Sequence, residues 1–93
     1  MNNKVNIMHY WNNYMDLKSL KVFAEIVNSQ SFSLAADHLF MTQSTISKTI
    51  KNLEDELGTA LFKKGEAGRK REVALTYVGE LFYQHSVIML NEQ

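Results

Sequence analysis

The middle of the chain concentrates side chains suited to short-range hydrogen bonding. From Thr42 to Lys51 the sequence reads TQSTISKTIK, with Gln43, Ser44, Thr45, Ser47 and Lys48 in its first half and no acidic residue anywhere in it. Short hydroxyls and a primary amide approach flat polar surfaces closely. Glutamine matches the N6 and N7 pattern of adenine, and lysine reaches guanine O6 and N7 or a phosphate. Further on, residues 63–71 (KKGEAGRKR) hold five basic residues and one acidic one. Lys63, Lys64, Arg69, Lys70 and Arg71, spread along a glycine-bearing loop, suit a phosphodiester backbone or a minor groove. The chain as a whole is neutral, with ten basic and ten acidic side chains. Taken alone, that balance counts against a nucleic-acid partner. The distribution decides otherwise, because Glu54, Asp55 and Glu56 lie away from both basic stretches.

Other chemistries find less support. There is no cysteine, hence no disulfide framework, thiolate metal site or redox motif. His9, His38 and His85 show no metal-ligand spacing with one another or with carboxylates, and each reads as a surface or core-edge histidine. Glu54, Asp55 and Glu56 occupy successive positions of a helical pattern, so their carboxylates diverge around its axis. No nucleophile, base and orienting group come together, and there is no glycine-rich phosphate loop. The reading is therefore a non-enzymatic protein with no cofactor, no metal and no small-molecule site in this chain. No apolar run approaches the length of a membrane span, and the first residues carry no signal-peptide pattern. The expected location is cytoplasmic, without a membrane partner.

The elements that position these residues follow from periodicity. The chain has 93 residues, enough for one domain, and its 45% hydrophobic content supplies a modest core. The absence of proline favours helices joined by short turns. Asp16 caps a first helix whose Leu17, Leu20, Phe23, Ala24 and Val27 form an apolar stripe. It ends in Asn28-Ser29-Gln30-Ser31. Ser33 opens a second helix, with Leu34, Ala35, Ala36 and Leu39 supplying its contacts, and the paired alanines predict a close helix neighbour. Phe40-Met41 makes a short apolar turn, with Met41 filling the core beneath it. Thr42 caps a third helix over 43–57. There Ile46, Ile50, Leu53 and Leu57 fall within roughly 60° of one another at helical spacing, opposite Ser44, Ser47, Lys48 and Lys51. Gly58 fits a left-handed C-terminal cap. Ala60-Leu61-Phe62 and Val73-Ala74-Leu75 read as two short strands flanking the basic loop. Thr76 caps a last helix in which Val78, Leu81, Phe82, His85, Ile88 and Met89 share a side. Residues 1–14, with Tyr10, Trp11 and Tyr14, show no clear period. They read as a mobile arm or as a segment whose aromatics pack on the domain or on a second subunit.

Two helices, a short apolar turn and a third helix with a polar outer face make a helix-turn-helix, and the hairpin adds a wing. The fold class is thus mainly α, a winged helix-turn-helix with a three-helix core and a two-stranded β wing, followed by a linker helix. From Met15 to about Leu90, roughly four-fifths of the chain, the order of elements resembles the N-terminal domain of LysR-type transcription regulators. The resemblance rests on SFSLAADHL, on QSTISKTIKNLEDELG followed by LF, and on LT..G. It implies an extension over 1–14, a DNA-binding domain over 15–75 and a linker or dimerisation helix over 76–93.

It also implies sequence-specific binding to double-stranded DNA by a homodimer. The helix at about 43–57 would enter the major groove and the wing at 63–71 would lie on the backbone. Gln43, Ser44, Ser47 and Lys48 would meet base edges. Thr42, Thr45, Lys51, Lys63, Lys64, Arg69, Lys70 and Arg71 would meet phosphates. Val78, Leu81, Phe82, His85, Ile88 and Met89 would join two subunits.

The chain departs from the family where Ser44 replaces the common proline and where Lys48 and Lys64 replace arginine, which loses bidentate geometry. Its wing is also longer than usual. The larger effector-binding module of the family has no counterpart here. The end of the chain inside a helical pattern favours a piece of a longer protein over a naturally short one. The competing reading is a protein-interaction module that pairs with a related regulator, or antagonises one, without binding DNA. The face led by Gln43, Ser44, Ser47 and Lys48 lacks the apolar or aromatic anchors that such a module would present.

Overall fold

The computed structural model describes residues 17–64 and 73–91 of the chain. Within these residues four helices appear in order: α1 (Leu17–Ser29), α2 (Phe32–Leu39), α3 (Gln43–Leu57) and α4 (Tyr77–Asn91). Helix α1 is the central element and touches each of the other three. It therefore buries more than the single stripe expected from its sequence. Leu20, Phe23 and Ala24 are buried as predicted, but so are Val22 and Ile26, while Leu17 is 41% exposed. A helix with neighbours on several sides needs apolar residues around most of its circumference. The Asp16 cap and residues 1–14 lie outside the described residues.

Helix α2 begins two residues earlier than expected. Ser31, not Ser33, is its N-cap, with extended backbone and a side chain that accepts from the Leu34 amide at 3.0 Å. The adjacent Ala35 and Ala36 are buried, and their small size lets α1 and α3 approach. Leu34 points outward and is 46% exposed, contrary to the contact role expected for it. The helix closes on Phe40, a left-handed residue with φ 55° and ψ 44°. The Met41 amide then donates to the Ala36 carbonyl at 2.9 Å. A left-handed conformation costs a residue with a Cβ about 1–2 kcal/mol, and the ring of Phe40 is 95% exposed. Met41 packs against the core as anticipated.

Helix α3 has the predicted limits. Thr42 caps it, and Gly58 ends it in the left-handed region at φ 76°, donating to the Glu54 carbonyl at 2.8 Å. Of the two short strands expected after it, the described residues hold one antiparallel bridge, Phe62 to Leu75. It is flanked by Lys63 donating to the Ala74 carbonyl at 2.8 Å and Thr76 donating to the Leu61 carbonyl at 2.9 Å. This is the base of the wing; residues 65–72 lie outside the described residues.

Helix α4 docks on that base and on α1. Thr76 caps it by accepting from the Gly79 amide at 2.9 Å. Its buried line is Gly79, Phe82 and Ser86. The apolar side expected there is split in two: Phe82 enters the core and Met89 packs against it, whereas Val78, Leu81 and Ile88 stay exposed to 37%, 42% and 55%. His85 is exposed as well. The small residues Gly79 and Ser86 mark the inward line because they allow close approach. Phe82 meets the Phe23 ring edge-on at 5.2 Å, and the Tyr83 hydroxyl donates to Asn28 Oδ1.

Gly79 sits against backbone. A Cβ there would fall 2.1 Å from the Leu61 carbonyl oxygen, so α4 or the wing base would have to move. Gly58, by contrast, has open space around its Cα and only its positive φ to protect. Gly79→Ala should therefore cost about 2–3 kcal/mol of stability and Gly58→Ala about 1 kcal/mol, read from urea unfolding followed by circular dichroism. Equal losses would mean that α4 shifts off Leu61 at little cost.

Candidate nucleic-acid interface

The site is organised from the N-terminus of α3. Thr42 Oγ1 accepts from the Thr45 amide at 3.1 Å and donates to Thr45 Oγ1 at 2.8 Å. Ser44 Oγ stands 3.5 Å from the same oxygen. Thr49 Oγ1 donates back to the Thr45 carbonyl at 2.8 Å. With its hydroxyl proton directed at Thr45, Thr42 has little left to offer a phosphate through its side chain. The free Thr45 hydroxyl proton and the first-turn amides of Gln43 and Ser44, which have no carbonyl one turn back, remain as donors. The positive end of the helix dipole lies at the same place.

The two faces of α3 are sharply divided. Ile46, Ile50 and Leu53 are buried, while Gln43, Ser44, Ser47, Lys48 and Lys51 are exposed. The structure thus brings all four predicted base-reading residues to the solvent side of one helix. Lys51 pairs with Asp55 at 3.9 Å, but both side chains are largely exposed. Such a pair contributes little and leaves the ammonium available.

Two concavities flank this face. One, of about 570 Å3, is lined by Gln43 and Ser47 together with Ser29, Gln30, Ser31, Phe32, Leu34 and Val73. The other, of about 310 Å3, is lined by Ser47, Lys51, Lys63 and Lys64, with Phe32, Ile50, Glu54 and Phe62 behind them. Ser47 and Phe32 border both. The wing-base lysines Lys63 and Lys64 therefore open onto the same surface as the polar face of α3. Arg69, Lys70 and Arg71 lie outside the described residues.

Three contributors escape a reading of the sequence. Ser31 and Phe32 bring the start of α2 to the edge of the face, and the Phe32 ring meets Phe62 edge-on at 5.4 Å. Glu54 looks in sequence like one of three diverging carboxylates. Its Oε2 in fact accepts from the amides of Leu61 and Phe62 at 2.7 and 3.3 Å. The seven-residue spacing to Leu61 carries no familiar periodic signal, since the intervening chain reverses at Gly58. His38 meets Glu25 across α2 and α1. Among the described residues, no group of three or more His, Cys, Asp or Glu side chains could hold a metal ion. No helix of the described residues is long and apolar enough to cross a membrane.

Residues 17–80 match the family of bacterial regulatory helix-turn-helix proteins of the LysR type. The chain belongs to the LysR family. It is 40% identical over 77 residues to the HTH-type transcriptional regulator BenM of Acinetobacter baylyi, a match covering 83% of this chain and 24% of BenM. It is 41% identical over 76 residues to the HTH-type transcriptional activator AaeR of Escherichia coli K12, covering 82% of this chain and 23% of AaeR. The chain spans about a quarter of the length of the curated relatives it matches. Among solved structures it is similar to the BenM_DBD/catB site 1 DNA complex, with a TM-score of 0.75 and 39% identity over 82% of this chain and 77% of that one. It is also similar to full-length BenM, with a TM-score of 0.72 and 38% identity over 82% of this chain and 24% of that one. The LysR-family fold seen here is a winged helix-turn-helix of mainly helical structure.

The Thr42 cap gives this site a direct stability test. Thr42→Ala leaves the Thr45 amide without its acceptor and should cost about 1 kcal/mol. Thr42→Ser, which keeps the hydroxyl, should stay near wild type. Thermal unfolding of the three proteins checks the order, and an alanine variant as stable as the serine one would show that the cap is dispensable.

Proposed function

We propose that this chain binds double-stranded DNA sequence-specifically, as the DNA-binding part of a LysR-family transcription regulator acting in the cytoplasm. The observation that carries the reading is the exposed, acid-free first half of α3, presented by a domain 39% identical to one whose solved structure is a DNA complex. Gln43, Ser44, Ser47 and Lys48 read base edges in the major groove. Thr45, Lys51, Lys63 and Lys64 meet phosphates, as do the first-turn amides beside Thr42. From sequence alone, Arg69, Lys70 and Arg71 extend the backbone contacts along the wing. Residues 15–75 form the binding domain and 76–93 the linker that joins two subunits, with 1–14 as an extension.

The dimer rests on the outward stripe of α4. Val78, Leu81, His85 and Ile88 follow spacings of three, four and three, the seam of a two-helix pairing. Their apolar members are exposed in the single chain. Phe82 and Met89 serve the domain's own core instead.

Selection and sequencing of random and genomic duplexes, with fluorescence anisotropy at two salt concentrations, tests the function. Enrichment of an inverted repeat, with affinity falling steeply as salt rises, supports a sequence-reading dimer. A folded dimer that binds no duplex at low salt would move the reading to the module that pairs with a related regulator.

Lys48→Ala should relax discrimination at one base pair by about 1–3 kcal/mol. Arg69→Ala or Arg71→Ala should weaken all sequences alike and lower the salt slope by about 0.9 for each phosphate left unneutralised. Unchanged discrimination in the Lys48 variant would remove that residue from the reading set. Leu81→Glu should shift the protein toward monomer in sedimentation without altering its circular dichroism. It should also cost affinity for the inverted repeat more than for a half-site; equal losses would place the subunit contact elsewhere.

A further inference from the structure

We propose that Glu54 is a positioning residue of the DNA-binding surface, holding Lys63 and Lys64 in register with the recognition face of α3; this rests on the DNA-binding reading above. The need for an explanation is electrostatic. Glu54 is half-buried and lines the concavity that also holds Ser47, Lys51, Lys63 and Lys64. A carboxylate on a surface meant for phosphates repels them and weakens association. Its geometry supplies the compensating role.

Glu54 holds the wing base from two sides of the turn that follows α3. Its carbonyl accepts from the amides of Gly58 and Thr59 at 2.8 and 3.2 Å. Its carboxylate accepts from the amides of Leu61 and Phe62 at 2.7 and 3.3 Å. The chain from Gly58 to Phe62 is thereby fastened to the last turns of α3. Phe62 is wedged between the rings of Phe23 and Phe32, each at 5.4 Å. Lys63 and Lys64 leave this anchored point in succession, and both are exposed. Without the anchor, the domain can keep its core through Phe23 and Phe62 while the exit direction of the two lysines becomes loose.

The role separates cleanly from that of a bystander charge. Both amides meet the same oxygen, Oε2, so glutamine removes the repulsive charge and keeps both hydrogen bonds through its carbonyl oxygen. Alanine removes the acceptor altogether. If Glu54 were only a nearby charge, either substitution would tighten binding to every duplex. If it positions the wing, alanine should loosen binding and reduce its salt dependence, because two lysines no longer release counterions on contact, whereas glutamine should bind at least as tightly as wild type.

The experiment measures affinity of the full chain for a duplex of about 25 base pairs, long enough for two half-sites one or two helical turns apart. A series of salt concentrations is run for wild type, Glu54→Gln, Glu54→Ala and a Lys63→Ala/Lys64→Ala reference. Circular dichroism confirms folding, and Glu54→Leu, which removes the acceptor but keeps most of the side-chain bulk, decides the matter should alanine fail to fold. The slope of log affinity against log salt should fall by about 1 to 2 in the variant without the acceptor, approaching that of the lysine reference. Affinity near 0.1 M salt should drop by about ten- to a hundredfold. Adding Glu54→Ala to the lysine reference should leave its slope where it was. A folded Glu54→Ala or Glu54→Leu protein that binds as tightly as wild type, or more tightly, with an unchanged slope overturns the assignment. Wild-type protein that binds no duplex under any salt condition overturns the DNA reading itself, and the assignment with it.

Discussion

Burial of the Phe23 ring is the contact on which the rest of the domain depends. The ring is fully buried on α1. It meets Phe62 of the wing base, Phe82 of α4 and Tyr83 one residue further on. A large aromatic buries much apolar area and prefers tilted or edge-on neighbours, which is the arrangement of all three contacts. Elements far apart in sequence are therefore registered against one ring. The helix-turn-helix and the wing base share this core, because Phe62 and Phe32 complete the same aromatic cluster.

A second layer of organisation is polar and lies around Leu61. Its carbonyl accepts from the amide and hydroxyl of Thr76, its amide donates to Glu54, and its side chain is fully buried. Thr76 and Gly79 bring α4 down onto this carbonyl. Buried backbone groups need partners, and here the partners come from different elements. Helix α3, the wing base and α4 are thus joined through one short stretch of extended chain. The LT..G stretch from Leu75 to Gly79 has a physical content in this geometry: the threonine caps α4 and bonds the wing base, and the glycine admits backbone contact.

Much of this is legible in the sequence, for reasons that can be located. Helix α3 is readable to the residue because three local signals agree: the Thr42 cap, the Ile46–Ile50–Leu53 spacing and Gly58 beyond the end. The polar face of the site follows from that periodicity alone. Sequence reading fails where the deciding contact is tertiary. Val22 and Ile26 lie off the main stripe of α1 and are buried only because several helices surround it. In α4 the larger apolar residues are split between two faces, and the inward one is marked by Gly79 and Ser86, residues that carry little hydrophobic signal. Glu54 looks like one acid among three; its role depends on where the chain turns after Gly58. Ser31 and Ser33 are both good caps for α2, and only the course of the chain at Gln30, itself left-handed at φ 57°, selects between them.

The attachment of α4 has a mechanical consequence. It is fastened to the wing base at Gly79, to the core at Phe82, and to the end of α1 through Tyr83 and Asn28. These fastenings tie α4 to α1 and to the wing base, against both of which α3 is also held. In the proposed pair joined along the outward stripe of α4, the polar faces of the two α3 helices would act as the jaws of a caliper. Each base pair added between half-sites rotates one of them by about 34–36° around the DNA axis, since a helical turn takes about 10–10.5 base pairs. A stiff caliper cannot follow that rotation, so the strain passes to the DNA as twist or bend. The spacing between half-sites then becomes part of what is recognised, although no side chain touches the base pairs in between.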